Sequence, residues 1–400
     1  MRISNLLSYI IGFYAVACLI SCKSGPFNLI KPATPHEQYA KKLENAGLNK
    51  SVMGTAWLNT AAQSIQKALS ITLPYQEKGY FAADKVEAAA FKFRLNHGQK
   101  LNIQLTKKPN SNFLIYLDIW EYNENNTLKL VAAADTLNNA IVVDADKTGD
   151  YILRLQPELL GSGEYALMIS TGPSLGLPLK SMKRSQIQSY YGDGRDKNTR
   201  KHEGIDIFAP FRTPVVAVSS GVVTGVNHNN LGGKVVWFRP EGKAYTLYYA
   251  HLDEQTVSAG QAVMQGDTLG LMGNTGNAKT TAPHLHFGIY TPNGAVDPLP
   301  FIDPLQREIP KISSSLAMLN TNMRTTGQVS VTGNVLGKGN IVRVAAASGN
   351  DYRVVLPNGN TGYINSRSLS SVKKPLSSYQ IKMAQEVFDR PTDSAAVNRA

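Results

Sequence analysis

Three short segments concentrate the side chains that could do chemistry: His202-Glu203-Gly204-Ile205-Asp206, Tyr249-Ala250-His251 and His284-Leu285-His286-Phe287. They hold four of the seven histidines in the chain. In the last segment the spacing of two, followed by Phe287-Gly288-Ile289-Tyr290, reads as a strand, so both imidazoles project from one face with Cα atoms about 6–7 Å apart. One of them could bind a metal while its neighbour handles protons. His202 and Asp206 also share a face if extended, but about 13 Å would then separate them, too far for shared ligation. Gly204 permits the bend that brings them together. A helical reading of this stretch is disfavoured by Gly204, Ile205, Ile207 and Pro210. Two imidazoles and one carboxylate suit zinc with a fourth position open for water, the layout of a catalytic site. Zinc lowers the pKa of such a water from 15.7 toward about 7.

The elements that must position these groups are mostly strands. At a soft prior of about 150 residues per domain, 400 residues imply several domains. The fold class expected is mainly β and multi-domain: a short N-terminal helical segment, a β-sandwich, an antiparallel β-sheet core carrying the histidines, and a small C-terminal β-barrel. Residues 23–74 hold the helical segment. Thr34-Pro35 offers a cap and a first-turn proline, and Tyr39, Leu43 and Leu48 begin an apolar stripe that resumes through Trp57, Ala61, Ile65 and Leu69, as expected of two packing helices without chemistry. Over 75–173 the period changes to two, with Phe91, Phe93, Leu95, then Leu101, Ile103, Leu105, then Tyr151, Leu153, Leu155. The run from Thr148 to Pro157 and Gly163-Glu164-Tyr165 resemble the pre-peptidase jelly-roll domains of secreted bacterial peptidases. Residues 174–305 form the histidine-bearing domain and 306–316 a linker. Over 317–372, strands around Ile341–Val344 and Tyr352–Leu356 and an Asn358-Gly359 hairpin signal resemble a bacterial Src-homology-three-like barrel. Residues 373–400 are a tail or the start of another repeat.

From about Ser185 to Phe301 the chain resembles the LytM/lysostaphin-type zinc metalloendopeptidases of bacterial cell walls. The resemblance rests on Tyr191-Gly192-Asp193-Gly194-Arg195, Lys201 to Ile207, Thr213 to Val218, Tyr249 to Leu252, Gly273-Asn274-Thr275-Gly276 and Pro283 to Phe287. It implies His202, Asp206 and His286 as ligands of one zinc ion per chain, His284 as general base, and His251 as an imidazole that stabilises charge on the tetrahedral intermediate. Arg195 stands where a guanidinium could meet a substrate carboxylate or tie into a structural ion pair. Two departures bear on groove shape. Phe211-Arg212 precedes Thr213-Pro214 where the family commonly has glycine, and Gly288 follows Phe287 where many members have Glu. His228 reads as a solvated loop histidine, and His36 and His97 as structural or surface groups.

The two cysteines, Cys18 and Cys22, leave no disulfide framework or cysteine metal site for the folded domains. Residues 1–22 read as a lipoprotein signal peptide. Leu6 to Ile20 is a 15-residue apolar run, short for a bilayer span, and Leu19-Ile20-Ser21-Cys22 resembles a lipobox with Cys22 as the lipidated residue. This implies anchoring in the cell envelope, facing the periplasm, with the outer membrane favoured. Net charge is +12, and residues 306–400 carry 12 basic against 5 acidic side chains, which suits an anionic polymer. No phosphate-cradling glycine loop or basic aromatic helix is present, so nucleic acid is not an expected partner. The expected function is zinc-dependent hydrolysis of peptide cross-links in peptidoglycan. The rivals are a catalytically dead scaffold, which would lack ligands, and a wall-binding protein acting through its flanking modules. On this reading residues 316–400 are a wall-binding module whose removal spares turnover of a small soluble substrate.

Overall fold

The computed structural model describes residues 32–374 apart from 109–112, 124, 137–138 and 196, together with the backbone of a strand pair at Glu386–Phe388 and Val397–Arg399. The leader, Cys18, Cys22 and most of the tail lie outside the described residues. Helix α1 spans Pro35–Asn45 behind a Thr34/Glu37 capping box, and α2 spans Val52–Gln66 behind a Ser51 cap. Two helices are what the interrupted stripe implied, and the structure differs only at its edges. Leu48 lies in the intervening turn, 47% exposed, and Leu69 has left the helix for a short strand parallel to the sandwich. Trp57 and Leu43 pack on Tyr116, while buried His36 stacks on Trp57 at 4.5 Å and bonds Gln156 Oε1 at 2.7 Å.

The sandwich comprises β1 (Tyr75–Phe81), β2 (Ala89–Leu95), β3 (Gln99–Lys108), β4 (Ile115–Tyr122), β5 (Leu128–Ala133), β6 (Ala140–Asp144), β7 (Gly149–Pro157) and β8 (Gly163–Pro173). One sheet has the order β2-β7-β4-β5, and the other contains β1-β8-β3-β6. The alternating residues expected inside, from Phe91 to Leu155, form its core. The histidine-bearing domain is a second antiparallel sheet, ordered β9 (Ile205–Phe208), β14 (His284–Thr291), β12 (Thr246–Gln255), β11 (Gly233–Pro240) and β10 (Gly221–Asn229), with β13 (Thr268–Met272) paired to β12. Its core holds Ile205, Ile207, Leu285 and Phe287, which alternate with Asp206, His284 and His286, together with Tyr249. Phe301 ties this domain to the sandwich, meeting the His97 ring at 4.9 Å over Gly98, and Lys243 pairs with Asp144 at 2.8 Å.

Beyond the linker, β15 (Ile341–Ser348), β16 (Asp351–Val355) and β17 (Thr361–Asn365) form where strands were expected, with Gly359 at φ 78° in the hairpin. They are not a free-standing module. β15 pairs with β1 through Lys78↔Ala347 and Gly79↔Ala346, so one continuous sheet runs β17-β16-β15-β1-β8-β3-β6. At this seam Arg353 and Glu77 are buried as a pair, 4% and 0% exposed.

Candidate active site

The register of β9 on β14 sets Asp206 opposite His286, and that of β12 on β14 sets Ala250 opposite His286. Because β14 alternates, His284 and His286 face the same cleft while Leu285 and Phe287 enter the core. His202 precedes β9 in an irregular turn, its N–H donating to Asp193 O at 2.8 Å and its carbonyl accepting from Gly192 N at 2.9 Å. His251 sits where the β11–β12 register slips, at φ 63°, with its N–H donating to Gly232 O at 2.7 Å. A bulge of this kind re-aims a side chain, here across the cleft toward His284, whose ring centroid is 4.9 Å away.

Main-chain carbonyls set the proton positions. His202 donates Nδ1–H to Tyr190 O at 2.9 Å, His251 to Thr275 O at 2.8 Å and His284 to Ala282 O at 2.9 Å. In the neutral ring each Nε2 is then a bare lone pair. Nε2 of His202, Oδ1 of Asp206 and Nδ1 of His286 form a triangle with edges of 2.9, 3.0 and 3.0 Å. A proton on His286 could serve one edge but not all three. Atoms about 2.0–2.1 Å from a tetrahedral ion stand roughly 3.3–3.4 Å apart, so the triangle is a slightly contracted ligand face, and the donor set fits a divalent cation. Burial raises the Asp206 carboxyl pKa, but the hydrogen bonds from His202 and His286 outweigh it and hold the group well below the usual carboxylate range. Burial lowers His286, and burial with neighbouring His284 and His286 lowers His251 to about 4.

Arg195 is drawn into this cage. Its Nη2 donates to Asp206 Oδ2 at 2.7 Å and to Ser189 Oγ at 2.6 Å, and Ser189 Oγ donates in turn to Asp193 Oδ2 at 3.0 Å. Of the two roles the sequence left open, the ion pair is the one seen at rest. The accepting carbonyls of Tyr190, Thr275 and Ala282 were invisible in the sequence, because main-chain groups carry no residue signature, and Ser189 lies outside the three reactive segments.

Gly204 sits in the expected bend just before β9 and has a second reason to be glycine. Its backbone is not left-handed; a Cβ there would lie 2.5 Å from Phe287 O and 2.7 Å from Cε1 of His286. Gly204→Ala is expected to push the His286 ring out of the triangle and weaken metal affinity about 10-fold or more. Chelator competition reads this directly, and unchanged affinity would sink the argument. Arg212 occupies the position where glycine was expected and takes φ 60°, held by ion pairs to Asp253 and Glu254. The strain of a left-handed arginine is thus offset locally, away from the ligands. His228 is exposed near the end of β10 and does not line the cleft.

The cleft encloses about 620 Å³ and is lined by all four reactive histidines, Asp206, Arg195 and an aromatic group at Trp237, Tyr248 and Tyr290. Residues 200–298 match the profile of peptidase family M23. The chain is 39% identical over 88 residues to the peptidoglycan DD-endopeptidase ShyC of Vibrio cholerae, covering 22% of this chain and 20% of that protein. It is 34% identical over 142 residues to an L-Ala–D-Glu endopeptidase of Bacillus subtilis, covering 32% and 43%. It is also 34% identical over 145 residues to an uncharacterized metalloprotease of Haemophilus influenzae, covering 36% and 28%. The chain thus spans less than half the length of these curated relatives. The matched residues take in the whole ligand triangle and both remaining cleft imidazoles, and residues 200–298 are a peptidase family M23 domain.

Proposed function

We propose that this chain is a zinc-dependent endopeptidase that hydrolyses peptide cross-links of peptidoglycan, held at the cell envelope by a lipid on Cys22 and facing the periplasm, with the outer membrane favoured. The observation that carries the reading is the convergence of three lone-pair atoms within 3.0 Å of one another, beside two further imidazoles with bare Nε2 atoms. His202, Asp206 and His286 would hold the ion. Zinc, when bound, supplies Lewis acidity that activates water near neutral pH and polarises a carbonyl.

The protein groups divide the proton work. His284 Nε2 is the base that accepts a proton from the attacking water, its ring held by Ala282 O and stacked on Phe208 at 4.8 Å. His251 cannot donate at rest, because its one proton is committed to Thr275 O and its pKa lies near 4. The proton that His284 takes from the attacking water must end on the departing amine, and His251, with its ring 4.9 Å from that of His284, is placed to share it on the way and to steady the oxyanion meanwhile. Arg195 occupies Oδ2 of Asp206, so that Oδ1 is the oxygen left for the ion.

The test is digestion of purified sacculi by a chain starting at residue 23 and loaded with zinc, followed by mass spectrometry. Conversion of cross-linked dimers to monomers, abolished by chelator, is the expected result. Products cut at the amide joining glycan to peptide would point to amidase chemistry, and full activity in chelator would end the metal assignment.

A further inference from the structure

Along β14, His284, His286, Gly288 and Tyr290 occupy successive positions on the cleft face. Across β12, Tyr248 stands opposite Gly288 and Ala250 opposite His286; across β11, Trp237 stands opposite Tyr248. The ligand triangle and the aromatic group are therefore adjacent positions on one sheet face, about 7 Å apart along the strand. Trp237 meets Tyr248 at 4.3 Å and Tyr290 at 5.6 Å between ring centroids, and the Tyr248 ring stands edge-on to His286 at 5.9 Å. Tyr248 is buried beneath, whereas Trp237 and Tyr290 are half-buried and line the cleft. Polar contacts fix the rings at their rims: Asn229 Nδ2 donates to Tyr248 OH at 3.4 Å, and Tyr290 OH donates to Glu203 Oε2 at 3.2 Å.

Gly288 makes the group possible. A Cβ at 288 would lie 3.0 Å from Cε2 of Tyr290 and 3.6 Å from Cβ of Tyr248. A glutamate there, as the resemblance leads one to expect, would crowd the Tyr290 ring by a few tenths of an ångström and set a charge on the face. Its absence leaves an apolar wall one strand repeat from the ligands. Aromatic faces of this kind gain by covering aliphatic carbon. Glycine or alanine next to the cleaved bond would leave the wall empty, whereas a chain of several methylenes would reach it.

We propose that Trp237, Tyr248 and Tyr290 form a specificity subsite for an aliphatic side chain of three or more methylenes on the residue adjoining the cleaved amide. The proposal rests on the peptidase reading above. The experiment uses the zinc-loaded chain and two synthetic peptides with the same scissile amide, one with lysine and one with glycine beside it. Wild type is expected to prefer the lysine peptide by about 10-fold or more in kcat/KM. Trp237→Ala and Tyr290→Ala should each reduce that ratio, and Gly288→Glu should reduce it as well, all with bound metal and melting temperature as controls. Binding of both peptides to His284→Ala, read by calorimetry, tests the same contact without turnover. A ratio unchanged in the wall variants, or equal affinity of the two peptides for His284→Ala, overturns the subsite. If wild type cuts neither peptide, the peptidase reading falls, and the binding comparison still decides the subsite.

Discussion

His284→Ala is expected to leave one metal ion bound and to lower turnover by about 10²-fold or more, whereas His286→Ala should lose the metal and the activity together. The two residues lie two apart on one strand and share a face, yet their ring atoms have different company. Nδ1 of His286 is 2.9 Å from His202 Nε2 and 3.0 Å from Asp206 Oδ1, inside the triangle. Nδ1 of His284 is tied to Ala282 O, and its ring stacks on Phe208 rather than on a ligand. His202→Ala and Asp206→Ala should behave like His286→Ala, since each removes one corner of three. His251→Ala should behave like His284→Ala, because its bulge-strained backbone places it beside His284 and outside the triangle. Metal content by mass spectrometry, paired with turnover of a soluble muropeptide, separates the two classes. Equal metal loss in His284→Ala and His286→Ala would show that the division of roles is wrong.

Much of this was legible in the chain because strand alternation exposes it. Leu285 and Phe287 read as core and His284 and His286 as a shared face from spacing alone, and the register that brings Asp206 opposite His286 completes the pair. Gly204 was legible as a bend but not as a tight fit, since its need for room depends on the position of a ring 82 residues later in the chain. The same alternation could have picked out Tyr290 as a cleft residue, two steps beyond His286 with glycine between. Trp237 and Tyr248 lie on other strands, and only their pairing adds them to that face. Least legible was the joining of sandwich and C-terminal strands. Glu77 sits at an inward position between Tyr75 and Gly79 on β1, whereas Arg353 alternates with core residues Tyr352 and Val354 on β16 and reads as an outward polar residue. Glu77 alone looks like an error in its alternation, and the burial of Arg353 shows only once the two strands share a sheet.

That pair sets the second large effect. Arg353→Met is expected to destabilise the chain by about 3–5 kcal/mol, because it leaves the Glu77 carboxylate buried without its counter-ion. Glu77 is wholly buried and accepts from Tyr75 OH at 2.7 Å, Tyr165 OH at 2.6 Å, and Arg353 Nε and Nη2 at 3.1 and 3.2 Å. Two tyrosine hydroxyls can satisfy lone pairs but cannot neutralise a charge. Adding Glu77→Gln to Arg353→Met should therefore recover part of the loss, while Glu77→Gln alone strands the guanidinium and costs as much in kind. Urea denaturation with an unchanged slope reads the shift in midpoint. Coincident midpoints for wild type and Arg353→Met would remove the basis for treating the two β units as one body. The same seam argues against the expectation that removing residues 316–400 spares turnover of a small soluble substrate. Truncation takes away Arg353 and the strand paired with β1, leaving Glu77 facing water or solvent-poor protein and a bare sheet edge at Lys78 and Gly79, an invitation to aggregation. A truncated chain that has lost activity on a small substrate would report this collapse of the scaffold, even though every ligand and both remaining cleft imidazoles lie within residues 202–286.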